Sequence, residues 1–452
     1  MKTGNWRNLA ACVLFVSAAS PAPAALSGRE TQMIRTVDAE RARSVELLKT
    51  LVEVNSGSRN IAGVTRVGSM VRAELEPLGF AVNWVPMEAA GRAGHIVATH
   101  KGDGRGKRML LIGHLDTVFE PDSPFQRWTL KGRDAQGTEW AEGPGAGDDK
   151  GGMVVMIAAL RAMKAAGTLE AADIEIVLTG DEEDAGEPID IARADLIAAG
   201  RRADVALDFE GLVRDGGRDM GSIARRSSSS WVVKATGNTG HSSGIFSEKA
   251  GYGAVYELAR IIDRFRQDLP EPNLTYNVGL IAGGATQSTD ADGIRATATG
   301  KTNIIAPVAE ARGDLRTLSD EQTERVRAKM RAIVAAHLPG TGATIGFDEG
   351  GYPAMAPTPG NQAILDRLNG VNRDMGLPEM PPLDPLKRGA GDVSFVAKDV
   401  DSFAGMGPYS TGDHAPGEAV DLASIPLQAK RAAILMSRLS VVPRAHVGYE
   451  HR

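Results

Sequence analysis

The run Met109-Leu110-Leu111-Ile112 constrains the fold more than any other stretch of this chain. Successive side chains of a strand point to opposite faces, so four large apolar residues in a row need cover on both sides. That is the situation of a strand inside a parallel sheet layered between helices. The neighbouring segments supply such layers. Strand-like runs occur at Ala81 to Pro86, Ile96 to His100, Ile174 to Leu178 and Val205 to Phe209. Helical periodicity runs through Ser27 to Asn55, Ile61 to Leu78 (ended by Gly79), Met153 to Ala166 and Ile189 to Ala198. Alternating strand and helix predicts an α/β sheet with helices on both sides.

The pattern changes near Gly221. Strand Ser230 to Ala235, helix Ala250 to Arg266, strands Leu274 to Ile281 and Lys301 to Leu315, helix Glu321 to His337 and strand Ala343 to Phe347 follow in the order βαββαβ. That order is the ferredoxin-like α+β unit. After Gly350-Gly351 and Pro353, Pro357 and Pro359, α/β patterning returns and ends in a helix over Ser424 to Leu439. The expected organisation is an α/β domain in two chain segments, residues 26–221 and 351–452, with a second domain, residues 222–350, inserted between them. A chain of 452 residues with 42% apolar and 24% charged residues can bury the cores this requires.

Residues 1–25 read as an export signal. Lys2 and Arg7 precede an apolar run from Leu9 to Ala19, and Ala22-Pro23-Ala24 has the small-residue cleavage pattern. The run is too short to span a bilayer, so the expected location is periplasmic or secreted, with no membrane association. Cys12 is the single cysteine and lies inside this segment. The mature chain therefore has no disulfide, no thiol nucleophile and no thiolate ligand, and any metal site must use histidines and carboxylates. The formal charge of −6 and the absence of a basic stripe argue against a nucleic-acid partner.

Chemistry-bearing residues gather where strands end. Gly113-His114-Leu115-Asp116-Thr117 follows the buried strand, and alternation puts His114 and Asp116 on one side, so Asp116 can fix the tautomer of His114. Gly143-Pro144-Gly145-Ala146-Gly147-Asp148-Asp149-Lys150-Gly151-Gly152 is a glycine-rich turn into a helix carrying an acidic pair. Adjacent carboxylates repel, and a cation beside them offsets that cost. Thr179-Gly180-Asp181-Glu182-Glu183-Asp184 follows a second strand, Glu210 ends a third, and Gly412-Asp413-His414 lies in a glycine- and proline-rich loop. Sheets of this kind bind ligands at the C-terminal ends of their strands. A mixed histidine and carboxylate set favours zinc, with manganese or cobalt as alternatives. Asp148 is the natural shared bridge of a dinuclear site, with a neighbouring carboxylate to carry the proton. His95, His100, His337, His446 and His451 lack such surroundings and read as packing or surface residues. There is no Gly-Lys-Ser/Thr phosphate loop and no Gly-x-Ser-x-Gly elbow.

These stretches, together with Leu207-Asp208-Phe209-Glu210, Gly240-His241-Ser242-Ser243, Thr302-Asn303-Ile304-Ile305-Ala306-Pro307 and Gly313-Asp314-Leu315-Arg316, resemble the M20 family of zinc metallopeptidases. The likeness is strongest to its glutamate carboxypeptidase (carboxypeptidase G-type) branch and covers essentially the whole mature chain. It implies a zinc-exopeptidase-like mixed sheet flanked by helices, with an inserted ferredoxin-like α+β domain that serves as dimerisation domain and lid. It implies two zinc ions per chain, one held by His114 and Glu210, the other by Glu183 and His414, bridged by Asp148. It further implies that Asp116 orients His114, that Glu182 is the general base and acid, and that a cis peptide follows Asp148. His241 would reach the partner subunit's site in a homodimer, and Arg316 and Asn303 would grip the free carboxylate of a small peptide or N-acyl amino acid. The implied reaction is cleavage of the amide before a C-terminal amino acid, glutamate among the candidates. An N-acyl amino acid deacylase or dipeptidase, and a non-catalytic binding protein on the same fold, are the alternatives. Lys387 to Asp392 is expected to line the substrate pocket.

Overall fold

The computed structural model describes residues 26–444. The expected signal segment, His446 and His451 lie outside the described residues. Six strands form the central sheet, in the order Ala81–Pro86, Gly94–His100, Asp173–Thr179, Arg108–His114, Val205–Asp208 and Ser402–Ala404. The first two pairings are antiparallel and the remaining three parallel. The sheet is mixed, as the resemblance implies.

The apolar run behaves as its pattern demands. Met109 and Leu111 enter one core with side chains of helices Gly28–Ala39, Lys150–Ala165 and Ser424–Leu439, while Leu110 and Ile112 enter the opposite core with Leu196 and Ala199 of helix Ala194–Arg202. All four are fully buried. Truncating any of them to alanine costs about 2–5 kcal/mol. Because the strands ending in His114, Thr179 and Asp208 are parallel neighbours, the loops that follow them open on one edge of the sheet.

A second antiparallel sheet has its own core. Its main strands lie in the order Leu280–Gly284, Val308–Arg316, Ser229–Gly237, Thr341–Phe347. Helices Ala254–Asp268 and Asp320–Ala335 supply Leu258, Ile261, Phe265, Val326 and Met330 to pack with Trp231 and Val233. This is the ferredoxin-like order. The expected strand Lys301 to Leu315 is broken. Ile304–Ile305 pairs with Gly240–His241, and a new strand starts at Val308, after Pro307, which has no N–H to give a ladder. The run Leu274 to Ile281 likewise divides into Thr275–Tyr276 and Leu280–Gly284. A threonine-rich hairpin, Thr286–Thr289 with Ala296–Thr299, was not visible as periodicity. The helix expected from Ala250 begins at Ala254, because Gly253 takes a left-handed φ of 77°.

Two further features position the site. A small sheet in the order Ser410–Thr411, Ala419–Asp421, Glu139–Glu142, Thr129–Arg133 holds the loop containing His414. The two connections between the sheets pair with each other through antiparallel bridges, Arg225 with Met355 and Ser228 with Tyr352. Among the described residues no helix is long and apolar enough to cross a membrane.

Candidate active site

The glycine loop enters its helix against the end of a strand. A Cβ on Gly152 would lie 2.0 Å from both Asp149 Oδ1 and Phe209 O, so only glycine lets the helix start approach that closely. The Asp148-Asp149 peptide is cis, as the resemblance implies. The loop is held by Glu418, whose carboxylate accepts the N–H groups of Gly145 at 3.1 Å, Gly147 at 2.8 Å and Asp148 at 3.0 Å. Glu418 lies on the same hairpin as His414, so one side chain docks the histidine loop on the glycine loop. Burial pushes its carboxyl up to about 8.

Asp148 stands between two imidazoles. Its Oδ1 is 2.9 Å from His114 Nε2 and its Oδ2 is 3.2 Å from His414 Nε2. His414 Nε2 is also 3.1 Å from Glu183 Oε2. Donor atoms of His114, Asp148 and Glu183 all lie within 4.8 Å of one another. Burial raises the Asp148 carboxyl, but the hydrogen bonds with His114 and His414 outweigh it and hold the group well below the usual range. Glu183 is pushed up to about 7, chiefly by burial. His414 rises to about 11 through its contacts with Asp148 and then Glu183.

Asp116 does more than face the first histidine. Its Oδ1 is 3.3 Å from His114 Nδ1. The same carboxylate accepts from Ser58 Oγ at 2.6 Å and from the N–H groups of Glu182 at 3.0 Å and Glu183 at 3.1 Å. It thus ties the ends of two neighbouring strands together.

The acidic run divides its labour. Asp181 is fully buried against Arg193 at 2.7 Å, and Asp184 pairs at the surface with Arg59 at 2.7 Å and Arg92 at 2.9 Å. That leaves Glu182 on the cleft and Glu183 beside His414. Burial, then the charge of Glu210, pushes the Glu182 carboxyl well above its ordinary value.

The cleft, of ≈ 570 Å³, is lined by Asp148, Glu182, Glu210 and His414 on one side and by Lys387 to Ala390 on another. Glu210 Oε2 accepts from Arg225 at 2.6 Å and Arg388 at 3.3 Å, while its Oε1 is buried and has no hydrogen-bond partner among the described residues. Asp208 sits beside it, bonded to Arg225 at 3.1 Å, and burial followed by the charge of Glu210 raises it to about 7. A free carboxylate oxygen at Glu210, the two oxygens of Asp148 turned to separate imidazoles and a donor set of histidines and carboxylates together fit a pair of divalent cations.

Not every expected residue joins this cluster. Arg316 reaches its margin: its Nη1 lies 3.8 Å from where a Cβ of Gly389 would stand, and its Nε bonds Asp314 at 3.1 Å. His241, in a separate two-stranded ribbon with Ile304–Ile305, and Asn303, in the turn before that ribbon, lie exposed and outside the cleft lining. His95, read as a packing residue, is buried between Gly180 N and Ala192 O at 3.0 and 2.8 Å. Glu418, Ser58, Arg225 and Tyr352 carry no local motif, and sequence reasoning did not reach them.

The profile of the peptidase family M20/M25/M40 matches residues 110–438. Carboxypeptidase G2 of Pseudomonas sp. (strain RS-16) is 25% identical over 428 residues, covering 91% of this chain and 92% of that protein. A succinyl-diaminopimelate desuccinylase of Leptothrix cholodnii is 25% identical over 395 residues, covering 84% and 95%. Among solved structures, the aminopeptidase PepT of Bacillus cereus superposes with a TM-score of 0.67 at 19% identity, covering 88% of this chain and 98% of its own. The YXEP protein of Bacillus subtilis, described as a dinuclear metal binding peptidase, gives 0.60 at 15% identity, covering 89% and 98%. At such identities the structures speak for the fold, and the profile, spanning well over half of the chain, speaks for descent: the chain belongs to peptidase family M20/M25/M40 and is a metal-dependent hydrolase.

Proposed function

We infer that this protein is an exported dinuclear zinc hydrolase that releases a C-terminal amino acid from a small peptide or N-acyl amino acid. The observation that carries the reading is Asp148, with one oxygen on each of two imidazoles at the mouth of a cleft lined by Glu182 and Glu210. His114 and Glu210 would hold one ion, Glu183 and His414 the other, and Asp148 would bridge them; cobalt or manganese could take the same donors. Bound there, the ions supply a water of lowered pKa and positive charge where the carbonyl oxygen becomes negative.

The chain's own residues do the rest. Asp116 fixes the imidazole of His114 and the loop carrying Glu182. Glu182 takes the proton from the attacking water and returns it to the leaving amine. Arg316 and Asn303, on the inserted domain of residues 222–350, grip the substrate's free carboxylate, for which a guanidinium fork is suited. His241 meets the oxyanion of the partner subunit's site in a homodimer formed through that domain. Its exposed Phe246, Val255, Tyr256 and Ile281 support such an interface. The likeness to carboxypeptidase G2 supports release of a C-terminal amino acid, with glutamate as our candidate, and the likeness to desuccinylases supports N-acyl amino acids as substrates. Export rests on the signal-like residues 1–25.

The test is metal content and turnover on one preparation. Purified mature protein should carry about two metal ions per chain and release one class of amino acid from a panel of peptides and N-acyl amino acids, sensitive to chelation. Absence of metal under zinc-replete conditions would overturn the site. Metal without turnover on that panel would favour a binding protein on the same fold.

A further inference from the structure

The two connections between the sheets reach into the site from opposite strands of one short ladder. Arg225 and Met355 exchange backbone hydrogen bonds of 2.9 Å, and Ser228 and Tyr352 exchange bonds of 2.9 and 2.8 Å. From the outgoing connection, Arg225 Nη1 holds Glu210 at 2.6 Å and Asp208 at 3.1 Å. From the returning one, Tyr352 Oη donates to the backbone carbonyl of Glu182 at 2.7 Å. Among the described residues that hydroxyl is the carbonyl's hydrogen-bond partner. The other end of the same residue is fixed by Asp116, which accepts the Glu182 N–H at 3.0 Å. The peptide frame of Glu182 therefore hangs between the end of a sheet strand and the connection to the second sheet.

The tyrosine itself is firmly seated. Its ring meets Phe395 edge-on, with centroids 4.9 Å apart, and the Arg193 guanidinium lies 5.7 Å from its centroid. Arg193 is fully buried, bonded to Asp181 and Asp392 at 2.7 Å each, and its Nη2 donates to Tyr352 Oη at 2.8 Å. The hydroxyl is thus a fully used relay: it accepts from a fixed arginine and donates to the loop of the cleft acid. Any shift of the paired connections relative to the central sheet moves this hydroxyl, and with it the residue from which the Glu182 carboxyl projects.

We propose that Tyr352 is a positioning residue for Glu182, through which the paired connections set the aim of the general base. This rests on the reading of Glu182 as the proton carrier. A misplacement of about 1 Å in a reacting group costs roughly a hundredfold in rate, so a hydrogen bond that fixes the base's backbone has leverage on turnover.

Tyr352→Phe isolates the hydroxyl. The ring and its contacts stay, and Arg193 Nη2 retains Asp181 O at 3.0 Å, so no buried guanidinium is left without a partner. The experiment is a double-mutant cycle of Tyr352→Phe and Glu182→Gln, with kcat, KM, metal content and thermal unfolding read for each protein. Tyr352→Phe should lower kcat about tenfold to a hundredfold, with KM within about twofold and metal content unchanged. On the Glu182→Gln background the same change should cost nothing further, because the group it aims is gone. Equal losses on both backgrounds, or wild-type kcat in Tyr352→Phe beside an inactive Glu182→Gln, overturn the positioning role alone. Near wild-type turnover in Glu182→Gln sinks the reading of Glu182 and this proposal with it. Should Tyr352→Phe not fold, Ser228→Pro tests the same coupling by deleting the N–H given to Tyr352 O. A folded Ser228→Pro protein with unchanged kcat overturns the proposal, and a lowered kcat at constant metal content supports it.

Discussion

Glu257 in the second sheet's core and Glu183 beside His414 at the cleft both carry buried carboxyls, and their surroundings treat them in opposite ways: Glu257 is held below its ordinary value and Glu183 is pushed up to about 7. Glu257 accepts from Arg260 Nη2 at 2.5 Å, Leu338 N at 2.8 Å and Thr341 Oγ1 at 3.0 Å. Burial pushes its carboxyl up, but these partners outweigh burial and hold it below its ordinary value. In the cleft the balance is reversed. Burial, then neighbouring charge, raises Glu182, Asp208 and Asp149, and Asp149 Oδ1 and Glu210 Oε1 are buried with no hydrogen-bond partner among the described residues. A buried carboxylate is tolerated when it is paired, and a cluster left under-compensated marks a place built for a cation or a moving proton. One region holds its acid for structure, and the other keeps its acids available.

The sharpest way to break that contrast is to neutralise an available acid. Glu182→Gln keeps size and hydrogen bonding but removes the proposed proton acceptor. Turnover should fall by about two to three orders of magnitude or more with bound metal unchanged, measured by steady-state kinetics beside elemental analysis. Near wild-type activity would remove Glu182 from the mechanism. Asp148→Asn acts one step earlier. In the proposed role of a bridge shared by two sites, its loss should empty both, whereas His414→Ala should empty only one, and counting metal per chain separates the outcomes. Retention of full metal in Asp148→Asn would show that it is not the bridge.

A smaller effect tests where the two regions meet. Arg316 belongs to the second sheet yet stands at the margin of the cleft beside Gly389. Arg316→Ala should raise KM by about 10–100-fold for substrates with a free carboxylate, the range of a charge-assisted hydrogen bond, and by less for amidated ones. Equal effects on both substrate types would sink the carboxylate clamp.

Much of this contrast is legible in the sequence, for a geometric reason. Parallel neighbours deliver the residues after their C-terminal ends to one edge, so His114, Asp116, Glu182, Glu183 and Glu210 could be grouped from strand positions alone. The split of Asp181-Glu182-Glu183-Asp184 could not, because it depends on Arg193, Arg59 and Arg92 arriving from other parts of the chain. Glu418 and Tyr352 act through backbone groups more than a hundred residues away, and a hydrogen bond to a main-chain amide or carbonyl leaves no motif. The break before Val308 had its signal in Pro307, but the apolar residues on either side masked it as one strand.

The satisfied acid offers the smallest and most diagnostic measurement. Glu257→Gln keeps an acceptor for Leu338 and Thr341 but gives up the charge that Arg260 meets, at a cost of about 1–3 kcal/mol at neutral pH. The sign of its pH dependence follows from the depressed carboxyl. In the unfolded chain the group protonates near 4.5, and in the folded chain lower than that. Its stabilisation is therefore complete above pH 4.5 and is lost as pH falls through the folded value. Urea unfolding of wild type and Glu257→Gln should show the full difference at pH 7 and a shrinking one below pH 4.5. Turnover at neutral pH should be unchanged, since this acid serves only its own core. A difference that grows as the pH falls would mean that Glu257 is as poorly compensated as the cleft acids, and the contrast between the two regions would fail.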